Sequence, residues 1–280
     1  MKKGKDALGD RMKEYENISR VYLTRKIPVI IRVDGKAFHS FTKGLERPFS
    51  EILATAMDIT MKKLCENIQG AKLGYVQSDE ISILLTDYAT ISTDAWFGND
   101  LRKITSISAS MATAFFHEAI RVGLDRVLKM PWNADDKEAQ AFHRRLSKVY
   151  ERTYDGPYFD SRAFSIPKEE VCNYFIWRQQ DATRNSIEMA GRAYFSHREL
   201  NQQNTNMIQD MLMTVYNVNW NDYPTRFKRG GCAYRKEFVN ECMKDPRNPE
   251  KTITVTRNRW IIDQDIPIFT KDREYVEKWL

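Results

Sequence analysis

The sequence predicts an α/β fold of the α+β type: a ferredoxin-like sheet with helices packed on it and a helical or mixed C-terminal extension. Three observations predict it. Residues 27–33 form an apolar, β-branched run typical of a buried strand. Apolar runs on both sides of Ser78-Asp79-Glu80 indicate a hairpin. Long stretches with apolar residues at helical spacing follow each of these runs, and the resulting order is the ferredoxin-like pattern.

The remaining elements follow along the chain. Residues 1–20 are polar but place Leu8, Met12, Tyr15 and Ile18 at helical spacing, which predicts an N-terminal helix. Residues 36–48 contain Lys, Gly and Pro and predict a loop. The other predicted elements are helices at about 49–67 and 99–128, a strand at 163–166, helices at about 168–195 and 197–216, and strand character at 252–262.

Composition bounds the class of protein. The 280 residues are 42% hydrophobic and 29% charged, which is typical of a soluble globular chain. The net charge of +6 favours a polyanionic partner, but only weakly. The four cysteines show no zinc-binding spacing and are interpreted as reduced structural thiols. No apolar run approaches the ~18 residues of a membrane span, and no apolar segment follows the N-terminal lysines. We therefore expect a cytoplasmic protein without a membrane segment or signal peptide.

Two carboxylates carry the strongest chemical signal. Asp34 ends the first predicted strand, and Asp79 lies at the predicted hairpin tip. If the hairpin lies beside that strand, the two carboxylates converge, repel each other and require a cation. Oxygen ligands suit Mg²⁺, and paired Mg²⁺ ions support in-line phosphoryl displacement. Locally, an Asp-Gly turn and a solvated Asp-Glu loop explain the same residues equally well.

The residues after Asp34 extend this interpretation. Backbone N–H groups that follow a strand can cradle phosphates, and Lys36 and His39 add charge-assisted donors. Phe38 fits a core position better than a base-stacking one. These patterns predict nucleotidyl transfer on a nucleotide triphosphate.

Five sequence blocks resemble those of the tRNA-histidine guanylyltransferase superfamily, the 3′–5′ nucleotide-adding polymerases. They appear in the family order and span roughly residues 20–265, and their sheet resembles the palm of classical polymerases. The blocks are Arg32–His39 (RVDGKAFH), Tyr75–Glu80 (YVQSDE), Phe159–Arg162 (FDSR), Trp177–Asp181 (WRQQD) and Lys228–Gly231 (KRGG).

The resemblance implies roles for individual residues. Asp34, Asp79 and Glu80 become catalytic candidates, although Glu80 could instead support Asp79. Two Mg²⁺ ions would be held by both aspartates, with the Gly35 carbonyl completing one site. The nucleotide-binding candidates are Asp34, Gly35, Lys36, Ala37, Phe38, His39, Ser78 and Asp79. The candidates for phosphate or tRNA contact are Arg47, Arg162, Arg178, Asn185, Lys228 and Arg229. For Arg47, a solvated basic loop explains the sequence equally well.

One departure from the family pattern concerns residues 182–186 (ATRNS). Eukaryotic tRNA-histidine enzymes carry a histidine-led block here, whereas this chain has Thr183 at the histidine position. It resembles the bacterial and archaeal "-like protein" branch, which implies templated repair of 5′-truncated tRNA rather than dedicated G addition to tRNA-His. The implied substrates are ATP, GTP and other NTPs, the implied partner is the 5′ end and acceptor stem of tRNA, and the implied assembly is a homotetramer.

Two other functions stay open at this point. A nucleotidyl-cyclase-like enzyme shares the carboxylate pair but would consume NTP without RNA. A non-catalytic tRNA-binding module would not consume NTP. In domain terms, residues 1–130 are expected to form a palm-like catalytic region with the N-terminal helix. Residues 131–280 would supply the rest of the core and the C-terminal extension, giving one compact unit with its best internal boundary at 131–136.

Overall fold

A six-stranded antiparallel sheet organises the protein. The computed structural model describes residues 7–133, 135–245 and 248–280, with side chains described in these ranges except at 239–255. The strands are β1 Val29–Lys36, β2 Ala71–Gln77, β3 Glu80–Leu85, β4 Tyr158–Ser165, β5 Gly231–Asp245 and β6 Asn248–Asp263. They lie in the order β4-β1-β3-β2-β5-β6.

Helices cover both faces of this sheet. Their bounds are α1 Ala7–Asn17, α2 Phe38–Phe41, α3 Glu51–Asn67, α4 Leu101–Leu128, α5 Lys137–Arg152, α6 Val171–Tyr194, α7 His197–Leu200, α8 Thr205–Tyr216, α9 Thr225–Arg229 and α10 Glu274–Glu277. Short 3₁₀ turns occupy Trp96–Asn99, Lys168–Glu170 and Trp220–Asp222. Within the described residues, every helix is too short or too polar to cross a membrane.

The predicted ferredoxin-like core is confirmed. The chain passes β1, α3, β2, β3, α4 and β4, and these four strands lie side by side in the order β4-β1-β3-β2. The long β5–β6 hairpin then adds to the free edge of β2. Strands from both halves of the chain therefore belong to one continuous sheet.

The two faces of the sheet have different partners. Ile31 and Val33 pack in one core cluster with Met57 of α3 and Phe116 of α4. The alternate residue Ile30 packs with Tyr75 and with Phe175 of α6 in a second cluster. Because successive strand residues point to opposite faces, the polar residues Arg32 and Asp34 lie on the α6 face. This face carries the candidate site.

Two predicted elements need correction. Residues 36–48 were expected to be a loop, but they contain the end of β1 and the one-turn helix α2, because Phe38 and Phe41 turn inward into the core. The helix predicted over 197–216 is divided into α7 and α8. The chain leaves helical geometry between them, with Gln202 at φ 63° and Asn204 capping α8.

Helix α5 and strand β5 are among the elements without a counterpart in the predictions, as are the short helices α9 and α10. Helix α5 is so charged that its apolar positions are easily overlooked, yet Leu146 and Val149 are buried. Strand β5 is recognised only through its pairing with β2 and β6. Strand β4 is also longer than the predicted 163–166, since Tyr158 pairs as far along β1 as Lys36.

The described cysteines are buried thiols outside any disulfide, namely Cys65, Cys172 and Cys232. Cys242 lies outside the residues whose side chains are described. Burial raises the pKa of the Cys65 and Cys232 thiols, which keeps both protonated and unreactive.

Candidate active site

The site is built where the tip of one hairpin meets the end of a strand. Strand β2 ends at Gln77 and β3 begins at Glu80, so Ser78 and Asp79 form a two-residue tip. Ser78 takes the left-handed backbone conformation, at φ 47°. The Gly35 N–H donates to the Asp79 carbonyl over 3.1 Å, which ties this tip to the end of β1. The structure therefore brings Asp34 and Asp79 to the same corner of the sheet.

The electrostatics of this corner are unfavourable to the two charged carboxylates. Burial raises the pKa of Asp34, and repulsion from Asp160, its cross-strand neighbour on β4, raises it further; the nearby arginines, Arg162 first, oppose the shift without cancelling it. Burial likewise raises the pKa of Asp79, with a smaller contribution from Asp34, while a hydrogen bond from Ser78 opposes the shift. In the described part of the chain, the ion pairs at this edge involve Asp160 and Glu80 rather than Asp34 or Asp79. A cation would relieve this repulsion.

The donor set of this corner fits Mg²⁺. Asp34 and Asp79 offer carboxylate oxygens, and Gly35, whose N–H reaches the Asp79 carbonyl, follows Asp34 directly in the chain. No group of three or more His, Cys, Asp or Glu side chains is arranged to hold a metal among the described residues. Two carboxylates are enough for Mg²⁺, because it commonly completes its octahedron with water and substrate phosphates.

Glu80 belongs to a different network. Its carboxylate is buried and accepts a 2.8 Å hydrogen bond from Arg178 Nε, while Arg32 Nε lies 4.0 Å away. Arg178 also donates through Nη2 to Asp181 Oδ2 at 2.7 Å. Burial raises the pKa of Glu80, and the two arginines oppose that shift. This contact fastens α6 to the sheet beside Asp34.

The turn after Asp34 is shaped by one close contact. Phe38 folds back over Gly35, so that a Cβ at position 35 would lie 2.2 Å from the Phe38 ring. The ring itself is buried against Phe116 and Phe159 at centroid distances of 5.2 and 5.1 Å. Only the backbone of Phe38 therefore remains for nucleotide contact. Lys36, Ala37 and His39 are exposed along the same turn, and Ala37 has φ 55°.

Gly35→Ala is expected to destabilise the protein by about 1–3 kcal/mol, because overpacking forces the Phe38 ring to move. Thermal or urea unfolding measures this loss. The matched control is the double variant Gly35→Ala with Phe38→Leu, which makes room for the added methyl group. If the loss of stability in the double variant equals the sum of the losses in Gly35→Ala and Phe38→Leu measured singly, the contact with Phe38 is not the cause.

A cleft opens beside the hairpin tip. Its walls are mostly apolar, with Phe49 and Phe227 stacked at 4.9 Å and an interplanar angle of 8°. Ser78 and Asn185 contribute polar groups, and the Asn185 amide donates to Asp181 over 3.4 Å. An apolar slot with a few oriented polar groups is typical of a site for a planar ligand such as a nucleobase.

The remaining predicted cations are distributed around this region. Arg162 pairs with Asp160 at 3.1 Å and lies across from Arg32 on the neighbouring strand. Lys228 donates to the Asn221 carbonyl and lies 5.9 Å from the Trp220 ring, so its ammonium is held locally. The structure places these cations apart rather than in one cluster. Arg229 lies at the end of α9, where its carbonyl accepts from Tyr75 Oη at 2.8 Å, and Arg47 is exposed in the loop before Phe49.

Sequence reasoning did not identify several residues of this region. Asp160 lies inside a recognised block, and strand alternation could have placed it beside Asp34. The Asp58–Arg226 pair carries no comparable signal, since its members are 168 residues apart. Arg226 Nε donates to Asp58 Oδ1 at 2.6 Å, and Gln264 donates to Asp58 Oδ2 at 2.7 Å. This buried cluster joins α3, α9 and the segment after β6 behind the cleft.

Comparisons with known proteins identify the family and agree with the fold. A family model described as tRNAHis guanylyltransferase matches residues 9–167. A bacterial tRNA(His) guanylyltransferase-like protein, solved in complex with ATP, is 43% identical, with a TM-score of 0.76 and coverage of 98% of this chain and 99% of that one. A structure of the same description in complex with GTP is 41% identical, with a TM-score of 0.74 and the same coverage. The tRNA(His) guanylyltransferase of Eremothecium gossypii is 26% identical over 222 residues, covering 74% of this chain and 82% of that protein.

Proposed function

The chain belongs to the tRNAHis guanylyltransferase family, and on that premise we propose that it adds nucleotides in the 3′–5′ direction to the 5′ end of tRNA. The observation that carries the proposal is the corner at which Asp34 and Asp79 meet. Two carboxylates with raised pKa values lie there beside the exposed turn at 36–39 and an apolar cleft. Such a corner suits a metal-bound nucleoside triphosphate.

The reaction has two chemical steps. A 5′-monophosphate of tRNA is first adenylylated by ATP, with release of pyrophosphate; a 5′-triphosphate is already activated. The 3′-hydroxyl of the incoming NTP then attacks the 5′ α-phosphate. A new P–O bond forms to that 3′-oxygen, the bond to AMP or pyrophosphate breaks, and the hydroxyl proton passes to solvent. The product retains a 5′-triphosphate.

Asp34 and Asp79 would hold two Mg²⁺ ions, with the Gly35 carbonyl as a further ligand. When bound, Mg²⁺ neutralises phosphate charge and aligns the attacking and leaving oxygens. The carboxylate pair supports metal dependence, because no cationic side chain pairs with Asp34 or Asp79 among the described residues.

The other residues of the site would bind the nucleotide and orient it. The exposed backbone from Lys36 to His39 would donate N–H groups to the triphosphate, with the His39 ring available beside it. The cleft next to Ser78 and Asn185 would take the base. Glu80 and Arg178 would hold α6 against the sheet beside the reacting groups, which is a positioning role.

Substrate choice and assembly are finer parts of the proposal. The sequence at 182–186 favours templated repair of 5′-truncated tRNA, with G addition to tRNA-His as the narrower alternative. The expected assembly is a homotetramer. Helix α1 buries none of its residues, so Leu8, Met12 and Tyr15 remain available for contact between copies.

A 5′-extension assay tests the proposal. Purified protein receives Mg²⁺, ATP, all four NTPs and a tRNA that lacks its first nucleotide and is labelled at the 5′ phosphate. We expect template-matched growth that stops when the acceptor stem is complete, and no growth in the presence of EDTA.

Other outcomes have distinct meanings. A single G added only to full-length tRNA-His would establish the narrower activity. Pyrophosphate release from NTP without RNA growth would indicate a cyclase-like enzyme and would overturn the proposal. RNA binding without NTP consumption would indicate a non-catalytic module.

A further inference from the structure

A second groove, lined largely by cations, lies between the loop 43–47 and helix α5. We call it the α5 groove. Its charged lining is Lys43, Glu46, Arg47, Arg145, Lys148 and Arg152. Five of these six side chains are cationic, so the groove concentrates positive charge well beyond the average of the chain. Helix α5 itself carries five Lys or Arg residues against two Glu.

These cations form no ion pair with a carboxylate of the described residues. Lys43, Arg47, Arg145 and Lys148 have no carboxylate partner within 4.0 Å in the described residues. On the surface of α6, by contrast, arginines form ion pairs with carboxylates one turn away. Like charges gathered without counter-charges repel each other, and a bound polyanion relieves that repulsion.

The groove is preformed by packing on both of its sides. The Arg152 guanidinium donates to the Lys43 carbonyl, which fastens the loop to the helix. Leu45 of the loop is buried in the same cluster as Leu146 and Val149 of α5. The cations therefore project from two anchored elements, and binding needs little rearrangement of backbone.

The groove leads toward the candidate active site. Arg47 lines it, and Phe49, two residues further on, lines the cleft beside Ser78. On the other side of α5, Lys148 also lines a second depression that contains Trp132 and His143. These two rings stack at 4.3 Å and 23°, and Trp132 is 43% exposed. A cationic track next to an exposed aromatic platform is typical of surfaces that bind nucleic-acid strands.

We propose that the α5 groove binds the phosphodiester backbone of the RNA substrate while the RNA 5′ end lies at Asp34 and Asp79. The proposal rests on the proposed function and adds the path of the RNA over the protein. Arg145 and Arg152 are separated by about 10 Å along the helix axis, which is more than a single phosphate group covers. Arg145, Lys148 and Arg152 are the residues that this proposal newly assigns to substrate binding.

The test is a double charge reversal, Arg145→Glu with Lys148→Glu. Both side chains are exposed, so the fold should be unaffected, and a thermal unfolding curve checks this. The probe is a fluorescent tRNA transcript lacking its first nucleotide, and its Kd is measured without NTP over a series of NaCl concentrations. We expect RNA affinity to fall at least ~10-fold and the slope of log K against log salt to shrink by about 1.4–1.8, that is 0.7–0.9 per lost phosphate contact.

The matched control is Lys168→Glu with Lys271→Glu, which changes the net charge equally on exposed lysines near the N-terminus of α6 and α10. An equal loss of RNA affinity in the control would overturn the proposal, since net charge alone would explain both. Unchanged RNA binding in the α5 variant would overturn it as well.

A second measurement separates RNA from nucleotide triphosphate as the source of phosphate. Equilibrium binding of ATP and GTP should be equal in the wild type and the α5 variant. Weakened NTP binding with unchanged RNA binding would assign the groove to the triphosphate instead and overturn the proposal. RNA binding is measured without turnover. Loss of RNA binding in the variant therefore supports RNA binding at the α5 groove even if the wild type fails the 5′-extension assay. Failure of that assay counts only against the proposed function.

Discussion

Asp79→Asn is expected to reduce nucleotide transfer roughly 10³-fold or more while leaving the fold intact. The amide keeps the size of the side chain but removes the charge that would hold the metal. Steady-state transfer to a 5′-truncated tRNA measures this loss, and Asp34→Asn should behave in the same way. The matched control is Asp160→Asn, which removes a nearby charge that is already paired with Arg162, and which should lose far less activity.

The same substitution should stabilise the metal-free protein. Burial raises the pKa of Asp34 and Asp79 in the folded state, so the folded protein binds protons more tightly than the unfolded chain. These carboxylates therefore lower the free energy of unfolding as the pH rises from their ordinary range through the raised pKa values. Asp79→Asn lacks the cost of one buried, charged carboxylate. Its free energy of unfolding should therefore exceed that of the wild type at neutral pH, and this difference should vanish in acid.

Urea unfolding with EDTA at several pH values measures this difference. A variant that is less stable than the wild type at neutral pH would contradict the electrostatic account of the corner. A variant that retains near-full transfer would remove Asp79 from the metal site.

Asp58→Ala is expected to destabilise the protein by about 3–5 kcal/mol. Asp58 and Arg226 are 1% and 7% exposed, and the substitution leaves the Arg226 guanidinium buried without its partner. It also removes the acceptor of the Gln264 amide. Denaturant unfolding measures the loss, and the cleft beside Ser78 should lose nucleotide affinity because Arg226 forms part of its wall.

A second variant separates charge burial from packing. Asp58→Leu combined with Arg226→Met removes both charges and fills similar volume, so it should recover most of the lost stability. If the double variant is as unstable as Asp58→Ala, the cost arises from shape rather than from an unpaired buried charge.

Sequence patterns were most informative where local rules act alone. The apolar runs at 27–33 and around Asp79 predict strands, the apolar spacing of the two long helices predicts helices, and the structure confirms all of them. They were less informative where tertiary contacts override local preference. Helix α2 forms because Phe38 and Phe41 are drawn into the core, and β5 is defined by its neighbours in the sheet.

By itself, the sequence determined the ferredoxin-like order of elements and the family to which the chain belongs, and it predicted the two aspartates proposed here as metal ligands. Residue type and spacing along the chain carry that information. The tertiary structure decided which charged side chains form ion pairs within the protein and which do not. Glu80 and Arg178 form an ion pair, whereas Asp34 and the cations of the α5 groove form none among the described residues. Electrostatic pairing depends on distance and burial between residues far apart in sequence, and only the folded chain sets those quantities.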